Sequence, residues 1–83
     1  MSNQIHTIRE RVLSLLAKKF GLEISTLSNN THFIEDLHAD SLDLVDIGMM
    51  IQSEFECEIP DEQMIKISTV EHLVKYLETN LRN

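Results

Sequence analysis

Glycine occurs twice and proline once in 83 residues. The chain therefore has little material for tight hairpin turns, which argues for helices. A single cysteine, Cys57, excludes an intramolecular disulfide and a cysteine-based zinc cluster, and is compatible with a reducing compartment. No uninterrupted apolar run approaches the ~20 residues that span a bilayer. Residues 1–6 contain no basic stretch leading into an apolar segment, so they do not read as a secretory signal. The expectation is a cytoplasmic chain, mature as written, with no membrane span. The most informative absence is of positive charge, because no Lys or Arg stands between Lys19 and Lys66.

What fills that gap is acid. Residues 35–62 carry ten Asp and Glu and no base, more than the whole formal net charge of −7. Such a field repels nucleic acid and anionic membranes and steers basic protein surfaces inward. Apolar content of 42% and charged content of 25% suit an ordered globular chain. The length suits one domain over residues 1–83, with a thin core, and a monomer is expected.

The apolar spacing predicts all-α architecture: a four-helix bundle of three longer helices and one short one, with a long loop between the first and second. Ile5, Ile8, Val12, Leu15, Leu16 and the pair Lys19-Phe20 follow three-and-four spacing, and Gly21 suits a left-handed helix end. Ser25 to Thr31 reads as a polar loop with Leu27 tucked beneath it. Phe33, Ile34 and Leu37 read as loop residues anchored in the core. The second helix is expected from Asp40 or Ser41 to about Phe55, with Asp40 and Asp43 as a capping box using a shorter acid. Leu44, Ile47, Gly48, Ile51 and Phe55 share one arc of it, and Leu42, Val45 and Met49 share the opposite one. So small a domain cannot bury both arcs, and the narrower one reads as an exposed docking stripe beside Asp43 and Asp46. Pro60 pre-sets a short helix led by Asp61 and Glu62. Ser68-Thr69-Val70-Glu71 reads as a capping box for the last helix. Val70, Leu73, Val74, Leu77 and Leu81 form that helix's apolar face, with Lys75 and Arg82 toward its end.

Ser41 stands at a helix start inside the acidic segment. As a nucleophile it would need a base and an oxyanion hole. Only His38 is near it in sequence, and no Gly-x-Ser-x-Gly elbow is present. Asp36, His38 and Asp40 alternate like a calcium loop, but Ser41 and Ile47 stand where the loop needs Gly and Glu. A serine at such a position is ordinarily a cap. A serine modified by another protein fits the setting too, since free amide groups at a helix start receive a phosphodiester.

The run Phe33-Ile34-Glu35-Asp36-Leu37-His38-Ala39-Asp40-Ser41-Leu42-Asp43 resembles the attachment motif of acyl carrier proteins. The stretches Glu54 to Glu62 and Lys66 to Val70 resemble that family in the same order and spacing, so the similarity covers nearly the whole chain. It implies a carrier with no catalytic activity of its own. Ser41 would receive 4′-phosphopantetheine from coenzyme A through a separate magnesium-dependent transferase, the holo-carrier-protein synthase, and would shuttle acyl thioesters between enzymes of fatty acid biosynthesis. Asp40, Leu42, Asp43, Val45, Asp46 and Met49 would meet basic docking patches on the transferase, the fatty acid synthesis enzymes and acyltransferases. Phe33, Ile47, Ile51, Ile59, Met64 and Ile67 would line a pocket for the acyl chain.

Four positions depart from the family pattern. His38 stands where Gly is usual, and a positive φ there would strain it. Gly48 replaces a branched apolar residue, which predicts a roomier cavity or a softer second helix. Gln52 and Ser53 replace frequent acids, making the far end of the docking stripe less charged. Two other readings stay open: a carrier dedicated to another acyl or aminoacyl pathway, and an acidic helical adaptor that bears no prosthetic group.

Overall fold

The computed structural model describes residues 7–81, which form four helices and one 3₁₀ turn at Ile24–Thr26. Helix α1 spans Ile8–Phe20, α2 Ser41–Phe55, α3 Asp61–Met64 and α4 Val70–Leu81. Among the described residues there is no strand, only a single antiparallel bridge between His32 and Thr69. The expected three long helices and one short helix are therefore present. Ile5, His6 and Arg82 lie outside the described residues, and so does the side chain of Leu81.

Helix α1 begins at a capping box that the apolar spacing does not display. Thr7 Oγ1 accepts from Glu10 N–H, and Glu10 Oε1 accepts from Thr7 N–H. Gly21 ends the helix at φ 66°, donating to Ala17 O. Val12, Leu13 and Leu16 face the core, with Leu15 and Phe20 only partly covered. Helix α1 packs against both α4 and α2, while α3 packs on α2.

The long connection is anchored to α4 by backbone. Phe33 N–H donates to Ser68 O, Val70 N–H to Thr31 O and Glu71 N–H to Asn29 O. Two amides that a helix start leaves without intrahelical partners are thereby satisfied by the loop. This corrects the expected cap of α4: Thr69, not Ser68, is the capping residue, its Oγ1 accepting from His72 N–H at 3.1 Å. Glu71 then falls one position too early to complete a box. Ile34 is corrected as well. Residues 32–38 wind as one helical turn, with Asp36 N–H donating to His32 O and His38 N–H to Ile34 O. Phe33 and Leu37, four apart, face inward, whereas Ile34 is turned out and 52% exposed.

The arc Leu44, Ile47, Gly48, Ile51 and Phe55 is buried as expected. No space opens beside Gly48, however, because a β-carbon there would lie 3.0 Å from Met64 Cγ. Met64 is fully buried and occupies the volume that a branched side chain would take. The absent side chain lets α3 approach α2; it does not create a void.

Candidate functional site

Three local devices present Ser41. The first is the turn over residues 32–38, closed by His32 and Asp36. His32 N–H donates to Asp36 Oδ2 at 2.7 Å. His32 Nδ1 in turn accepts from the amides of Ile34 and Glu35 at 3.3 and 3.2 Å. The second device is the reversal at His38, whose φ is 58°, after which Ala39 N–H donates to Phe33 O and the Ala39 side chain is buried. The third is the start of α2. Asp40 Oδ1 accepts from Asp43 N–H at 2.9 Å and Asp43 Oδ2 accepts from Asp40 N–H at 3.2 Å. The expected capping box is thus formed, with Asp40 as the cap.

Ser41 is the first residue of α2 and is exposed. Among the described residues its hydroxyl has no hydrogen-bond partner. Capping has passed to Asp40, His32 Nδ1 is engaged in the loop, and His38 makes no side-chain bond to Ser41. The first intrahelical bond runs from Leu44 N–H to Asp40 O, so the Ser41 amide lies ahead of the ladder at the positive end of the helix.

The residues expected to meet partners form one face. Leu42 is 74% exposed and Met49 58%, Asp46 is exposed, and Asp43 and Val45 are partly covered. Two cations of α1 also reach α2. Lys19 Nζ sits 3.9 Å from Asp43 Oδ1 and 3.8 Å from Asp46 Oδ2. Arg11 donates to Glu54 Oε2 through Nε and one terminal nitrogen, at 3.1 and 2.8 Å, and to Glu54 O at 3.1 Å. Its guanidinium also lies 4.3 Å from the centroid of the Phe55 ring. A signal for Lys19 was present, since its spacing sets it on the inner side of α1. Nothing in the spacing pairs Arg11 with Glu54. Gln52, a departure from the family pattern, is structural: its Oε1 accepts from Ile59 N–H at 3.0 Å.

The six residues expected to line an acyl pocket lie together in the core, each no more than 3% exposed. A cleft of about 480 Å³ under the first loop, lined by Leu22, Leu27, Thr31 and Leu37 among others, shares none of them. Cys57 is partly covered, and burial pushes its thiol pKa up. Among the described residues no helix is long and apolar enough to cross a membrane.

Residues 10–77 match a family model described as the phosphopantetheine attachment site. That family bears 4′-phosphopantetheine as a covalent prosthetic group, which implies a transferase that installs it and enzymes that use it. The match covers most of the chain and contains α2, α3 and the loop that leads to Ser41. The chain belongs to the phosphopantetheine attachment site family and has the role of a carrier.

Proposed function

We propose that this protein carries acyl groups as thioesters for the enzymes of fatty acid synthesis, on a 4′-phosphopantetheine arm bonded to Ser41 Oγ. The observation that carries the choice of serine is the division of labour at the start of α2. Asp40 caps the helix, which leaves the exposed Ser41 hydroxyl without a structural task. A phosphodiester at Ser41 fits there, because the positive helix end receives its charge. Bound to the serine, the arm supplies a terminal thiol on which acyl groups ride.

The chain's own work is presentation, not catalysis. Asp40, Asp43 and Asp46 draw the basic patches of the transferase and of successive acyl-handling enzymes, and Leu42, Val45 and Met49 give them an apolar seat. Weak, steered association suits a carrier that must also leave. Phe33, Ile47, Ile51, Ile59, Met64 and Ile67 receive the acyl chain by parting. Met64 yields first, since an unbranched thioether side chain rearranges more readily than branched neighbours.

Two measurements test this reading. Incubation with coenzyme A, magnesium and a broad-specificity transferase adds one phosphopantetheinyl group to wild type and none to Ser41→Ala, read by intact mass. Equal gain by Ser41→Ala means that another residue is the anchor. Thioesters released from the carrier purified from its cells are straight-chain fatty acyl groups; aminoacyl or polyketide cargo assigns it to another pathway.

A further inference from the structure

The two lysines that end α1 occupy different surroundings. Lys18 is exposed and forms no ion pair among the described residues. The Lys19 side chain is only 18% exposed, and its ammonium lies between Asp43 and Asp46 at 3.9 and 3.8 Å. Both separations exceed a hydrogen bond, so Lys19 acts as a charge shared by two carboxylates, not as a donor fixed to either. The Phe20 ring, its centroid 5.6 Å from Nζ, backs the ammonium on the side of α1. Because residues 20–65 contain no Lys or Arg, the charge beside these two acids must come from another element, and α1 supplies it.

We propose that Lys19 is a specificity-determining residue that screens the face of α2 beside Ser41. It attenuates the field of Asp43 and Asp46, so a protein surface with a single cation gains little there. A surface with several Lys or Arg, able to displace the Lys19 ammonium or bind around it, is favoured. This inference rests on the carrier reading above, and the partner it concerns first is the basic docking surface of the transferase. Lys19 touches no reacting atom. It acts through the two aspartates, and so on encounter and affinity, not on the chemical step.

Transfer of phosphopantetheine from coenzyme A is measured for wild type, Lys19→Gln, Lys19→Met, Lys19→Arg and Lys18→Gln. The Lys18 variant removes the same unit of charge from the same helix end without touching the pair. Lys19→Gln lowers the transferase's KM for the carrier about two- to fivefold at low ionic strength, the range that partly exposed ion pairs support. Its kcat is unchanged, and its KM rises more steeply with salt than that of wild type. Lys19→Met, which keeps the stem, behaves the same way and stands in should Lys19→Gln unfold by circular dichroism. Lys19→Arg stays at the wild-type value, and Lys18→Gln shifts KM by less than half as much. Unchanged KM in both uncharged Lys19 variants, or an equal shift in Lys18→Gln, overturns the proposal. Failure of wild type to be loaded at all contradicts the carrier reading instead.

Discussion

His38 holds φ at 58°, a left-handed backbone that side chains other than Gly, Asn, Asp and His seldom adopt. The reversal is what brings Ala39 back to Phe33 O and sets Asp40 in place to cap α2. Relief of this strain, which costs about 1–3 kcal/mol at a non-glycine residue, exceeds the extra chain entropy of glycine, about 0.5–1 kcal/mol. His38→Gly is therefore expected to stabilise the fold by about 1 kcal/mol in urea unfolding; a loss of stability would show that the His38 side chain contributes contacts of its own. Cys57 gives a second prediction at this scale. Burial pushes its thiol pKa up, so at any pH near neutrality a smaller fraction is thiolate than in a free cysteine. Alkylation by iodoacetamide at pH 8 should be slower than for a free thiol and should keep rising with pH where the free thiol levels off. Urea should erase the difference. Equal rates in the folded protein would contradict the assigned burial.

Helix α2 was the most legible element, because its two arcs follow from one residue spacing and its start from the Asp40–Asp43 capping box. The start of α4 was not. Ser68-x-x-Glu71 and Thr69-x-x-His72 are both plausible starts on local chemistry, and the choice is made by the first loop, which takes the amides of Val70 and Glu71. Thr69→Ala should cost about 1 kcal/mol, the usual value of a lost cap, and Ser68→Ala less than half of that. The reverse order in thermal or urea unfolding would return the cap to Ser68. The roomier cavity expected at Gly48 was misjudged for a similar reason, since a missing side chain leaves a void only if nothing moves in. Met64 does so, and its Cγ lies 3.0 Å from where a β-carbon would stand. Gly48→Val should lose about 1–3 kcal/mol, as overpacked core substitutions do. Unchanged or increased stability would mean that α3 yields without strain.

Across the whole molecule, charge and covering explain more than any single motif. The central segment concentrates ten acids with no base. The fold then returns two cations to it from α1, Arg11 at the far end of α2 and Lys19 beside its first turns. The deficit was plain in the sequence. Its partial repair was not, because which opposite charges meet depends on how α1 and α2 are packed. Glu54 is engaged by Arg11, and Asp43 and Asp46 share Lys19, so α1 offsets part of the negative charge at both ends of α2. The cargo is not legible at this scale either. The core residues that would receive an acyl chain are, in the unloaded protein, ordinary packing, and they carry no mark of chain length or pathway.

The central claim is that Ser41 is the anchor of the prosthetic group. Trypsin cuts after Lys and Arg, so residues 20–66 are released as one peptide that contains Ser25, Ser28, Ser41 and Ser53. Fragmentation of this peptide, after loading with coenzyme A and a transferase, locates the modification directly. The account predicts a single phosphopantetheinyl group on Ser41, with the other three serines bare. A group on another residue, or no modification under conditions that load a control carrier, would contradict it.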